Sequence, residues 1–216
     1  MTTTRGTLLL LAGYPGTGKS VLGAAVERRV PGIVTVALDD AKLARYERYG
    51  FADAAEKAEH ERRALDDWLA ALDATMATGV PVLSDYPFSD KQRPQLVDLC
   101  ARHGYDPCTV RLVAEFDVLF DRQRARDLDP SRHPSFVLDT YSAGDDVLDR
   151  ASAPGILTRQ EFRRRYDERG YGTFELGPTL EVDTTDFATV DTEAIVDWIV
   201  ARMRRDATTT AREGRA

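Results

Sequence analysis

Thr7-Leu-Leu-Leu-Leu-Ala-Gly-Tyr-Pro-Gly-Thr-Gly-Lys-Ser20 decides how this chain is read: an apolar run stops at Gly13 and a helical pattern restarts at Lys19. Gly13, Gly16 and Gly18 let the backbone turn tightly enough for successive amide N–H groups to point inward. They do so at the head of a helix whose dipole already favours an anion. The spacing G-x-x-x-x-G-K-[ST] is met without a gap, between the strand-like run and Val21-Leu-Gly-Ala-Ala-Val26. A phosphate-binding loop needs that context. Gly13, Tyr14, Pro15, Gly16, Thr17, Gly18, Lys19, Ser20 and Val21 are therefore assigned to nucleotide binding. Lys19 is expected on the β- and γ-phosphates of ATP, and the Ser20 hydroxyl on a Mg²⁺ that bridges them.

Working outward, Ile33–Leu38 is β-branched and apolar enough for a second buried strand, ending at Asp39-Asp40. Residues 53–78 read as a long helix with Leu65, Trp68, Leu69, Leu72 and Met76 on one face. Val80–Asp85, Cys108–Ala114 and Leu180–Asp183 complete a set of short apolar strands. Helices are expected over about 89–103 and 115–126, from a capping box at Thr158–Glu161 to Gly170, and over 189–204. Strands alternating with helices imply an α/β fold, a three-layer sandwich with a five-stranded parallel sheet and helices on both faces. Ligands then bind at the carboxyl ends of the strands, where Gly13, Asp39, Asp85 and Asp183 fall.

The weakly periodic stretch from Asp127 to Gly155 is rich in Asp, Ser, Pro and Gly, so 127–175 is expected to form a mobile covering lid. The whole of 1–205 reads as one domain, with a disordered tail at 206–216. Two cysteines, Cys100 and Cys108, make no disulfide framework, and His60, His103 and His133 lack metal-ligand spacing. A soluble cytoplasmic protein is expected: Met1-Thr-Thr-Thr-Arg-Gly6 has no signal-peptide core, and no apolar run nears the ~20 residues that span a bilayer. A net charge of -7 disfavours a protein that coats a polyanion, although a basic cleft could still accept a nucleic-acid end.

Phosphoryl transfer needs a base for the acceptor proton, a metal-supporting carboxylate and cations on the transferring group. Asp39 or Asp40 follows the second strand beside the phosphate loop, and Asp39 is favoured as the base. Asp85 ends its strand as a Walker-B-type carboxylate does and would support Mg²⁺ with Ser20. Tyr86 follows it where motor ATPases carry a water-polarising glutamate, which favours transfer to a bound acceptor over hydrolysis. Arg122 and Arg126 are four apart and share a helix face, so both are expected to clamp the γ-phosphoryl, with Lys19. Arg124 faces elsewhere.

The phosphate loop, Asp39-Asp40, Val82-Leu-Ser-Asp85 followed by Arg93, and the Arg122/Arg126 pair resemble the small AAA-type, P-loop kinases related to polynucleotide 5′-hydroxyl kinase. Chloramphenicol phosphotransferase, gluconate kinase and shikimate kinase are more distant relatives with the same sheet. The resemblance implies a nucleoside-monophosphate-kinase-like fold. It also implies Asp39 as general base, Lys42 as a substrate-side cation and Arg126 as a lid arginine, with Asp40 and Arg93 on the acceptor side. Tyr86-Pro87-Phe88 departs from the Thr-Asn-like continuation of the polynucleotide enzymes, and the covering segment is longer. The leading expectation is an ATP-dependent kinase acting on a hydroxyl of a small metabolite. A polynucleotide 5′-hydroxyl kinase and a slow ATPase acting as a nucleotide-dependent binding module are the alternatives.

Overall fold

The computed structural model describes residues 6–147 and 149–213. Strands β1 (Gly6–Gly13), β2 (Val34–Thr35), β3 (Val82–Asp85), β4 (Tyr105–Val113) and β5 (Thr179–Asp183) pair in the order β2-β3-β1-β4-β5. Every pairing is parallel. Central β1 is apolar on both faces because both are covered. Leu8, Leu10 and Ala12 point to one face, which is packed by α3 (Ala54–Met76) and α4 (Arg93–His103). Leu9 and Leu11 point to the other, against α1 (Lys19–Arg29) and α7 (Thr192–Glu213). The three-layer α/β sandwich expected from the strand–helix alternation is the observed fold.

One expectation is corrected. The second strand is a two-residue edge, not a buried Ile33–Leu38 run, and both its residues are exposed. The ladder ends at Val36, whose carbonyl is taken by the Trp68 indole N–H at 3.2 Å and the Ser84 hydroxyl at 2.6 Å. The chain then turns directly into α2 (Leu38–Tyr49), with Asp39 and Asp40 in its first turn, where carboxylates are favoured. α7 spans Thr192–Glu213.

The covering segment is tied to the body of the protein by several contacts. Phe51 and Tyr141 exchange backbone hydrogen bonds of 2.8 Å. The Lys57 ammonium donates to the Leu138 carbonyl at 2.7 Å, and the His133 Nε2 lies 2.9 Å from Glu47. Tyr46, Phe51 and Tyr141 form a small apolar cluster with Phe136 and Leu138, which the Asp- and Pro-rich local composition hides. On either side of this cluster in the chain, α5 (Phe116–Leu128) and α6 (Arg159–Arg169, opened by the expected Thr158–Glu161 capping box) pack around Phe116, Leu119 and Phe162.

Trp68 is fully buried and bridges α3 to the end of β3 through its bonds to Val36 and Ser84. Trp68→Phe removes one donor while its two acceptors stay bonded to each other, and it leaves a small void. We expect a loss of about 1–2 kcal/mol in urea denaturation.

Candidate active site

The phosphate loop joins β1 to α1. Gly13 has φ +124°, and a Cβ there would meet the Leu112 carbonyl oxygen at 2.1 Å. Gly18 has φ +89°, with the Phe187 ring 2.9 Å from a notional Cβ. The Thr17 hydroxyl is buried and donates to the Tyr14 carbonyl at 2.8 Å, which closes the turn. The Lys19 ammonium curls back and donates to the carbonyls of Gly13 and Tyr14, both at 3.0 Å. Burial pushes this ammonium down to about 8, against the pull of Asp85 and Asp39 and with the push of Arg126. It is a buried cation held by neutral oxygens, a position that an incoming polyphosphate would relieve.

The sign of that shift carries two consequences. Between about pH 8 and its ordinary value of 10.5, Lys19 is neutral in the fold and charged in the unfolded chain. The unfolded state then binds more protons, so Lys19 makes stability rise with pH through that window. Nucleotide affinity moves the other way. Titration with a fluorescent ATP analogue should show Kd rising above about pH 8, by up to about tenfold per unit.

The Ser20 hydroxyl donates to the Asp85 carboxylate at 3.1 Å. Asp85 stands at the end of β3 opposite Leu11 of β1, which sets it beside the loop. Burial raises its carboxyl, while Lys19 and the Ser20 hydroxyl draw it back down. A hydroxyl and a carboxylate side by side are hard oxygen donors of the kind Mg²⁺ takes alongside phosphates. Among the described residues, no group of three His, Cys, Asp or Glu side chains could hold a metal unaided.

Asp39 faces this pair from α2. Its carboxylate lies 3.7 Å from the Arg126 guanidinium of α5 and 3.6 Å from the Lys42 ammonium. Its field reaches Lys19, Asp85 and the half-buried Tyr86. Lys42 also lies over the Tyr86 ring, 5.6 Å from its centroid. Thus Lys19, Ser20, Asp39, Lys42, Asp85 and Arg126 converge, although Asp39 arrives on a helix rather than a strand end. Arg132 of the covering segment joins them unforeseen. Burial, and then the Arg126 charge, push its guanidinium down to about 10, while Asp39 and Asp127 oppose.

Other expected site residues are engaged elsewhere. Arg122 donates to the carbonyls of Thr184 at 2.8 Å and Thr185 at 3.0 Å, and lies 3.6 Å from the Phe187 ring centroid. It also reaches the Gly16 carbonyl at 3.5 Å, so it ties the phosphate loop to the loop after β5. Arg93 is held by Asp90 at 2.7 Å and lies over the Phe174 ring. Asp183 accepts from the Thr185 amide at 2.8 Å, and Asp40 and Arg124 are exposed. The Tyr14 ring turns out of the loop, stacks on Tyr166 at 4.2 Å and donates its hydroxyl to the Tyr166 carbonyl. Pro15 and Gly16 are half-buried at the tip, while the Val21 side chain is exposed.

No helix among the described residues is long and apolar enough to cross a membrane. No curated protein matches the chain. Among solved structures it is similar to a Chloroflexus aurantiacus J-10-fl protein provisionally described as a kinase. That match has 24% identity and a TM-score of 0.71, and covers 92% of this chain and 98% of that one. It is also similar to a gluconokinase from Sinorhizobium meliloti 1021, at 17% identity over 97% and 98% of the two chains, with a TM-score of 0.51. The tunicamycin resistance protein of Deinococcus radiodurans matches at 18% identity over 92% and 95%, with a TM-score of 0.50. At these identities the likeness is one of fold. Residues 8–146, from β1 through the covering segment, match the model of a family described as the AAA domain. The chain therefore belongs to the AAA-domain family and carries its phosphate loop on a five-stranded, small-kinase type of P-loop fold.

Proposed function

We propose that this protein is an ATP-dependent phosphotransferase that moves the γ-phosphoryl group of ATP to a hydroxyl of a small metabolite. One observation carries the reading: the Asp39 carboxylate lies beside Arg126 and Lys42, with its field on Lys19 and Asp85. A base, cations for the transferring group and a metal-supporting carboxylate thus share one spot.

In this reading the loop amides and Lys19 bind the β- and γ-phosphates, and Arg126 and Arg132 offset the charge that builds on the transferring group. Asp39 accepts the hydroxyl proton as the acceptor oxygen bonds to the γ-phosphorus and the bond to the departing ADP breaks. Ser20 and Asp85 would hold Mg²⁺, which when bound neutralises phosphate charge. The nucleoside end is assigned to the loop after β5, where Arg122 covers Phe187. Tyr86 next to Asp85 supports transfer over hydrolysis, because no carboxylate stands there to polarise water.

Incubation with γ-labelled ATP, magnesium and a panel of hydroxyl compounds tests the reading. Label should appear on a small organic acceptor. Release of label solely as inorganic phosphate across the panel would contradict it.

A further inference from the structure

Tyr14 precedes Pro15, and a proline confines the residue before it to extended backbone conformations. Little rotation is left between the Tyr14 side chain and its own carbonyl, so the direction of one sets the direction of the other. That carbonyl is the hub of the phosphate loop. It accepts from the Lys19 ammonium at 3.0 Å, from the Thr17 hydroxyl at 2.8 Å and, at longer range, from the Thr17 amide at 3.4 Å.

The other end of the residue belongs to α6. Its ring stacks on Tyr166 with centroids 4.2 Å and planes 18° apart, and meets the Tyr171 ring edge-on at 5.6 Å. Its hydroxyl donates to the Tyr166 carbonyl at 2.9 Å. Burial raises this phenol, which therefore keeps its donor proton. A Cβ at Gly172 would come within 3.1 Å of the ring, so glycine there leaves the ring its seat. Tyr166 is fixed in turn by Phe116 of α5, edge-on at 5.5 Å. A stacked aromatic pair and a buried hydrogen bond are each enough to move an equilibrium several-fold.

We propose that Tyr14 is a positioning residue for the nucleotide: α6 holds its ring, the ring fixes the peptide whose carbonyl aims the Lys19 ammonium, and α6 and the phosphate loop therefore bind nucleotide as one unit. The Tyr14 side chain meets no phosphate. It acts through Lys19 and through the turn that Thr17 closes. The coupling runs both ways, because a free energy shared by two elements is reciprocal: nucleotide in the loop steadies α6 as much as α6 steadies the loop. Since α6 lies in the stretch read as a cover over the site, this contact links the filling of the loop to the placing of that cover. The proposal concerns nucleotide binding and does not require the transfer step.

Titration with a fluorescent ATP analogue and magnesium, well below the unfolding temperature, tests this with variants that separate the two attachments. Tyr14→Phe keeps the stack and loses the hydroxyl bond, and Kd should rise about 2- to 5-fold. Tyr166→Ala keeps that bond, which is made to backbone, and removes the stack without altering the loop. Kd should then rise about 3- to 10-fold, and Tyr166→Phe should restore it. Tyr14→Ala loses both attachments, for about 10- to 30-fold, and adding Tyr166→Ala to it should cost less than about twofold more. Hydrogen exchange reads the coupling from the other side: nucleotide should slow exchange of the α6 amides in the wild-type protein but not in Tyr14→Ala.

A Kd unmoved by Tyr166→Ala, even where urea denaturation shows lost stability, would overturn the proposal and leave the phosphotransferase reading standing. So would single effects that multiply in full in the double variant, or α6 protection indifferent to nucleotide in the wild-type protein. Should Tyr14→Ala fail to fold, Tyr14→Phe, Tyr166→Ala and the wild-type exchange pattern still decide. A wild-type protein that binds no ATP analogue would sink the proposal and the phosphotransferase reading together.

Discussion

Asp39→Asn should slow phosphoryl transfer about 10²- to 10⁴-fold, the usual worth of a positioned general base, while nucleotide binds as tightly as before or more tightly. The two halves of this expectation have separate causes. Asparagine keeps the size of the side chain in the first turn of α2 but cannot take the acceptor proton. It also removes a negative charge whose field reaches Lys19, and it frees Arg126, 3.7 Å away, for the incoming phosphates. Turnover is read as ADP production at saturating nucleotide and acceptor, and binding by titration with a fluorescent ATP analogue. Turnover preserved in the variant would remove Asp39 from the proton transfer, and a collapse of binding would make it a structural residue.

Lys19→Met should act in opposite directions on function and stability. Methionine matches the length of the lysine stem but carries no charge, so nucleotide affinity and turnover should fall about 100-fold or more as charge-assisted bonds to the phosphates are lost. The nucleotide-free protein should become about 1–3 kcal/mol more stable in urea near pH 7. There the fold bears a buried ammonium pushed down to about 8, a cost that methionine does not carry. Losing the bonds to the Gly13 and Tyr14 carbonyls offsets part of that gain. Stability that falls along with binding would show that the ammonium holds the empty loop together.

What could be read from the sequence follows from how local each signal is. The phosphate loop was legible because its glycines, lysine and serine act through a backbone turn that their own spacing specifies. Asp85 was legible because a strand end locates it, and Arg126 because helical spacing set its face. For Arg122 the spacing gave the helix face alone: the carbonyls of Gly16, Thr184 and Thr185 decide where its side chain ends. Asp39 was placed beside the loop through the wrong element. Its β-branched approach looked like a buried strand, but the Trp68 indole and Ser84 hydroxyl cap that run at Val36.

Arg132 comes under the field of Asp39 and Arg126 only through the folding of elements distant in the chain, and no periodicity marks such a residue. The anchors of the covering segment were hidden for a related reason. Its composition is that of a loose loop, while its anchors, Phe51, Lys57 and Glu47, lie some 80 to 95 residues earlier.

A crystal structure with a non-hydrolysable ATP analogue and magnesium bears most directly on the claim that these residues form one phosphoryl-transfer centre. Asp39 should face the γ-phosphorus across a gap that fits a single acceptor oxygen, about 3–3.5 Å from that phosphorus. Arg126 should bond the γ-phosphate oxygens, and Ser20 and Asp85 should flank the metal. A γ-phosphate bound in the loop with Asp39 and Arg126 both turned away from it would contradict the claim.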